Sequence, residues 1–234
     1  MASASPEVIS SSMSRRMTRS PSPLLTVLPM PRATRTLVLL VALFIPAWGS
    51  AAEKSILVFG DSLSAAYGIP QASGWVSLLA ERVKRERPDY RVVNASISGE
   101  TSGGGAARLE GALLKHRPQV VVLELGANDG LRGLQVAQMK RNLSGMIERS
   151  QKAGARVLLV GMRIPPNYGP DYAQAFESTF ADLAKQHKVA LLPFLLEGIA
   201  ENREQFLADG IHPTAAAQPH IEQHVWKALQ PLLK

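Results

Sequence analysis

The sequence predicts an α/β protein built on a parallel sheet with helices on both faces. Three observations predict it: five short apolar runs of β type at fairly even spacing, amphipathic helical patterns between them, and glycines and polar residues directly after each run. The first run, residues 55–59 (SILVF), leads into Gly60-Asp61-Ser62-Leu63-Ser64, and a helical face of Trp75, Leu78, Leu79 and Val83 follows. The second, residues 90–94 (YRVVN), leads into residues 94–101 and a helix with Leu109, Leu113 and Leu114 on its apolar side. The third, residues 120–125 (VVVLEL), precedes Gly126-Ala127-Asn128-Asp129 and a helix carrying Val136, Met139, Leu143, Met146 and Ile147. The fourth, residues 157–161 (VLLVG), opens into residues 162–169 and a helix with Tyr172, Phe176, Phe180 and Leu183. The fifth, residues 189–192 (VALL), is followed at some distance by Asp209-Gly210-Ile211-His212-Pro213 and a last helix with Ile221, Val225, Leu229 and Leu232. Most runs are nearly continuously apolar, as strands covered on both faces must be. Regular alternation of strand and helix requires right-handed crossovers in one layered domain.

Composition narrows the function classes. Of 234 residues, 46% are hydrophobic and 19% charged, too apolar for a disordered chain. Absence of cysteine excludes disulfides, thiolate metal sites, iron–sulfur clusters and a cysteine nucleophile. The net charge of +7 is concentrated at the front: residues 1–52 hold five arginines against one acid. No Lys/Arg run with interleaved aromatics occurs in the body, so the basic balance does not indicate a nucleic-acid partner.

Residues 1–52 read as a leader. Arg32 and Arg35 precede an apolar run over residues 37–45, Pro46 ends it, and Gly49, Ser50, Ala51 and Ala52 supply a small-residue cleavage site. That order of basic, apolar and small segments is a secretory signal peptide, expected to be removed near Ala52. The apolar run is about half the ~20 residues a membrane span needs. A translation start at Met30 or Met17 would shorten the leader. The mature chain, residues 53–234, is then one exported domain, periplasmic or secreted.

In an open parallel sheet, sites form beyond the carboxyl ends of the strands. Ser62 lies at the first such end. A serine hydroxyl is a weak nucleophile until a base takes its proton. His212 is the candidate base, and Asp209, three residues earlier, can accept from its Nδ1–H and fix the tautomer. Pro213 keeps His212 out of helical geometry and Gly210 permits the turn. Attack on an ester carbonyl creates an oxyanion that needs preorganised donors. The Ser62 N–H, the Gly99 N–H and the Asn128 side-chain amide are the candidates.

Four segments carry a resemblance. ILVFGDSLSAAYG, VVNASISGETSGGGAARL, LELGANDGLRG and DGIHPTAAAQP resemble, in order, the four sequence blocks of the GDSL/SGNH hydrolases, and within them the bacterial secreted arylesterases and acyl-CoA thioesterase–lysophospholipases. The likeness runs from about Lys54 to Leu232 and includes RIPPNYGPDYAQAF. It implies a flavodoxin-like three-layer α/β/α sandwich with a five-stranded sheet of order 2-1-3-4-5. It also implies Ser62 as nucleophile, Asp209 and His212 as acid and base, and Gly99 and Asn128 beside the Ser62 N–H as oxyanion hole. Asp61 is expected to orient the nucleophile loop. Ala127 stands where close relatives often carry glycine.

The implied reaction is hydrolysis of aryl esters, lysophospholipids or acyl thioesters, with a small-molecule or lipid ester as partner and neither metal nor organic cofactor. Leu131 and Leu134 after the third strand, and Ile164, Pro165 and Tyr168 after the fourth, are candidates to line an acyl channel. The same fold could serve a carbohydrate O-deacetylase or an exported ligand-binding domain without catalysis. His220 and His224, one turn apart with no third ligand evident, read as a solvated helix face. Gly103-Gly104-Gly105 lacks the Gly-Lys-Ser/Thr of a phosphate loop. Arg108 and Arg132 read as surface charges, Arg132 near enough to the Asn128 loop to meet an anionic head group.

Overall fold

The computed structural model describes residues 53–234, and the leader and its cleavage segment lie outside the described residues. Five strands run parallel in one sheet: β1 (Lys54–Gly60), β2 (Tyr90–Asn94), β3 (Val120–Glu124), β4 (Arg156–Val160) and β5 (Ala190–Leu192). Their spatial order is β2-β1-β3-β4-β5, the order the resemblance implies. Among the described residues six α-helices accompany them: α1 (Trp75–Glu86), α2 (Ser102–His116), a short α3 (Ala127–Leu131), α4 (Val136–Lys152), α5 (Pro170–His187) and α6 (Gln218–Leu229). Helices α1 and α6 pack together, and α2, α4 and α5 pack together, so the sheet lies between two helical layers.

The layering follows from burial on both faces of the central strands. Ile56, Leu57, Val58 and Phe59 of β1, and Val120 to Leu123 of β3, are all fully buried. Each such side chain contributes roughly 1.5–3 kcal/mol when removed from water. The predicted helical faces are buried or, at Leu78, Val136, Tyr172 and Leu232, half-buried, and one of their residues is exposed. Leu109 and Leu113 of α2 pack inward, but Leu114 is 71% exposed. At about 100° per residue, Leu114 lies past the edge of the stripe that its two neighbours define.

Register brings the chemistry-bearing loops to one edge. Val58 of β1 pairs with Asn94 of β2, and Gly60 pairs with Glu124 of β3, so the segments that begin at Asp61, Ala95 and Leu125 leave the sheet side by side. Gly60 is required by close approach. A Cβ there would stand 2.5 Å from Glu124 Oε2 and 2.9 Å from the Glu124 carbonyl oxygen. Gly60→Ala is expected to destabilise the protein by about 1–3 kcal/mol, measured by denaturant unfolding, because the backbone oxygen cannot rotate away.

Candidate active site

Ser62 begins the turn after β1. Asp61, fully buried, accepts from the Leu63 N–H through Oδ1 at 3.0 Å and so holds the turn closed. Ser62 itself is half-buried, with its hydroxyl on the cavity side. His212 arrives from the far end of the sequence. Its segment folds back in a short antiparallel bridge, with Leu207 N–H on the His212 carbonyl at 2.8 Å and Thr214 N–H on the Gln205 carbonyl at 2.7 Å. Arg203 ties the same loop from outside, its guanidinium donating to the carbonyls of Phe206, Leu207 and Ala208.

The three residues form one relay. Asp209 Oδ1 accepts from the Ile211 and His212 N–H groups at 2.9 and 3.0 Å, an Asx turn. Asp209 Oδ2 lies 2.7 Å from His212 Nδ1, and His212 Nε2 lies 2.8 Å from Ser62 Oγ. Residual burial works to raise the Asp209 carboxyl, but the bonds from Ile211 N–H, the His212 ring and His212 N–H outweigh it and hold the group down to about 2. It is therefore a carboxylate across neutral and mildly acidic pH. Tyr67, half-exposed, packs its ring 4.4 Å from the His212 ring, tilted by 38°.

The oxyanion-hole candidates share the cavity with Ser62. Gly99 has φ +78°, a left-handed conformation that favours glycine, and its carbonyl is held by the Arg132 guanidinium at 2.9 Å. Arg132 is thus tied to the backbone of the Gly99 loop. Asn128 lies on α3, a one-turn helix at a position the sequence reads as a loop. Its Nδ2 donates to Asp61 Oδ2 at 3.1 Å and to the Glu100 carbonyl at 3.0 Å, which fixes the amide beside the Ser62 turn. Asp129, buried, accepts from the Ser102 N–H and hydroxyl at 2.7 and 2.6 Å and anchors the start of α2.

Ser62, Gly99, Asn128 and His212 line one cavity of about 650 Å³. Of the five channel candidates, Leu131, Ile164 and Pro165 line it. Leu134 and Tyr168 do not. Leu134 follows the left-handed Gly133 and is 43% exposed, while Tyr168 stacks on Tyr172 and bonds the Leu131 carbonyl at 2.7 Å. The sequence reading missed Tyr67, Met162, Phe194, Leu196, Phe206 and Ile211, which line the cavity too. Met162, Phe194 and Leu196 come directly after β4 and β5, so position at the sheet's carboxyl edge was the available signal for them, whereas Tyr67, Phe206 and Ile211 lie further along their loops. Two further expectations need correction. Arg108 is not a free surface charge: it bonds the Ala95 carbonyl at 2.7 Å, pairs with Glu100 and sits 3.9 Å over the Phe59 ring. His220 and His224 do not simply face water, because their Nε2 atoms contact the Glu197 and Phe194 carbonyls at 2.8 and 3.0 Å. Among the described residues, no group of three His, Asp or Glu side chains is placed to hold a metal ion.

A serine, an imidazole and a carboxylate in relay at the edge of a parallel sheet, opening on an apolar cavity, define a hydrolase of the SGNH type. The model of the GDSL-like lipase/acylhydrolase family matches residues 58–218, and the chain belongs to that family. It is 52% identical over 183 residues to the esterase TesA of Pseudomonas aeruginosa, covering 78% of this chain and 91% of that one. It is 42% identical over 184 residues to the thioesterase 1/protease 1/lysophospholipase L1 of Escherichia coli K12, covering 79% and 87%. Among solved structures, the psychrotrophic esterase EstA of Pseudoalteromonas, inhibited by monoethylphosphonate, superposes with TM-score 0.74 at 42% identity, covering 77% of this chain and 98% of that one.

Proposed function

We propose that this chain is a serine esterase that hydrolyses carboxylic esters through an acyl-enzyme on Ser62. The observation that carries the reading is the unbroken relay from Asp209 Oδ2 to His212 and from His212 Nε2 to Ser62 Oγ, with contacts of 2.7 and 2.8 Å. His212 takes the proton as Oγ attacks the carbonyl, then returns it to the leaving alcohol. Water attacks the acyl-enzyme by the same route. The Ser62 and Gly99 N–H groups and the Asn128 amide receive the oxyanion, which competes with the Glu100 carbonyl for one amide hydrogen. No step calls on a cofactor.

The esters are aryl esters, lysophospholipids or acyl thioesters. Support comes from the relatives' names and from a cavity walled by Leu131, Ile164, Phe194 and Leu196. A series of p-nitrophenyl esters tests this. Each buried methylene contributes about 0.8 kcal/mol, so kcat/KM is expected to climb roughly fourfold per methylene from acetyl until the cavity is filled. A maximum at acetyl would instead indicate a deacetylase.

Export of residues 53–234 after cleavage near Ala52 completes the reading. It rests on the leader's basic, apolar and small segments, and no helix among the described residues is long and apolar enough to cross a membrane. The intact mass of the protein recovered from cells checks it.

A further inference from the structure

Glu124, the last residue of β3, has no part in the steps above, yet it lies directly against the nucleophile loop. It is fully buried. Its Oε2 accepts from the Ser64 hydroxyl at 2.7 Å and from the Asp61 N–H at 3.2 Å. Its Oε1 is buried without any partner. The bond from the Asp61 N–H sets the two acidic residues side by side in one buried site, and a proton held there has either carboxyl open to it.

Where that proton sits follows from the partners. Both Asp61 oxygens are taken by donors: Oδ1 by the Leu63 N–H and Oδ2 by the Asn128 amide. That set suits a carboxylate. Glu124 has donors on one oxygen only. The charged or titratable groups that face the pair are His212 from the C-terminal loop and Asp129 from α3, and among the described residues no lysine or arginine pairs with either carboxyl. Two neighbouring buried carboxylates with no cation between them cannot both stay ionised.

We propose that Glu124 is a positioning residue that works as a neutral acid. It keeps the proton of the pair, so that Asp61 alone carries the charge that holds the Asn128 amide and faces His212. The inference rests on the reading of Ser62 and His212 as nucleophile and base. As His212 gains a proton in the attack, one negative charge beneath it stabilises the imidazolium, and two would oppose the folding of the loop. Burial, and then the Asp61 charge, push Glu124 well above the usual carboxylate range. Burial also pushes Asp61 up to about 6, against the pull of the Leu63 N–H, His212 and Asn128. Both carboxyls are thus pushed toward the neutral form, Glu124 by burial and by the Asp61 charge together.

The test needs no variant for its main readout. In protein carrying carbon-13 at the Glu side-chain carboxyls, one resonance is expected at the shift of a protonated acid at pH 7, and Glu124→Gln assigns it by removing it. Glu124→Gln, which keeps shape and neutrality, is expected to retain kcat within about threefold with the acid limb of its pH profile unmoved. Glu124→Ala frees Ser64 and the Asp61 N–H, and kcat is expected to fall about 10²-fold with KM little changed. All Glu carboxyls ionised at pH 7, or an acid limb displaced downward by a unit or more in Glu124→Gln, would overturn the proposal, since either outcome means that Glu124 carries a charge. The resonance is read without substrate, so it answers independently of whether Ser62 is the nucleophile.

Discussion

Replacing Ser62 with alanine is expected to leave a folded protein whose esterase kcat is lower by about 10⁴–10⁶. The change removes one oxygen, and with it the acyl-enzyme route. What remains is the oxyanion donors and the binding cavity, which orient the ester but supply no nucleophile. The fold has little to lose. The Ser62 hydroxyl makes one side-chain hydrogen bond, to His212 Nε2, and the residue is half-buried, so the stability change is expected within about 1 kcal/mol. Turnover of a p-nitrophenyl ester, read beside a thermal unfolding curve, separates loss of chemistry from loss of structure. A fluorophosphonate probe adds the covalent readout: the native protein takes one label, located on Ser62 by peptide mass, and the variant takes none. Retained turnover in a clean preparation would remove Ser62 from its role and direct attention to a different nucleophile.

Much of this site is legible in the sequence because each of its parts follows a strand that is itself legible. Runs such as ILVF and VVVL have no polar residue to place on a wet face, so they identify central strands. The segments beyond them must then meet at one edge. Ser62, Gly99, Asn128 and His212 are brought to a single cavity by that rule. What was not legible depended on contacts between segments distant in sequence. Glu124 reads as an interruption in VVVLEL, and nothing local shows that its carboxyl lies under the Ser62 loop, 60 residues earlier than itself at Ser64. Arg108 reads as a charge on a helix, and only the Phe59 ring beneath it and the Glu100 and Ala95 acceptors show that it is tied down. Arg203, which clamps three carbonyls of the Asp209 loop, gives no local signal at all. Leu114 shows the opposite error: a hydrophobic residue assigned to the core when helical phase turns it outward.

Replacing Asp209 with asparagine is expected to lower kcat by about 10⁴, close to the loss of the nucleophile itself. The reason lies in which oxygen does what. Oδ1 serves the loop by accepting from the Ile211 and His212 N–H groups, and asparagine can keep those bonds. Oδ2 serves His212 Nδ1, and there an amide nitrogen donates where the carboxylate accepted. The imidazole then keeps its proton on Nε2, facing Ser62, and cannot take another. Loop geometry survives while the tautomer is wrong, so KM is expected to change little. With the native carboxyl held down to about 2, its contribution to folding is present above the unfolded carboxylate value and is lost only as pH falls through about 2. Protonation of the native acid therefore does not offset the rate defect of Asp209→Asn between neutral and mildly acidic pH, and parallel pH–rate profiles measure the defect at neutral pH. Asp209→Ala, which also removes the Asx turn, is expected to add a rise in KM as the His212 loop slackens. A variant Asp209→Asn with kcat within tenfold of the native enzyme would show that the acid at Nδ1 is dispensable. The charge that matters would then be Asp61, which also faces His212 from beneath the nucleophile turn.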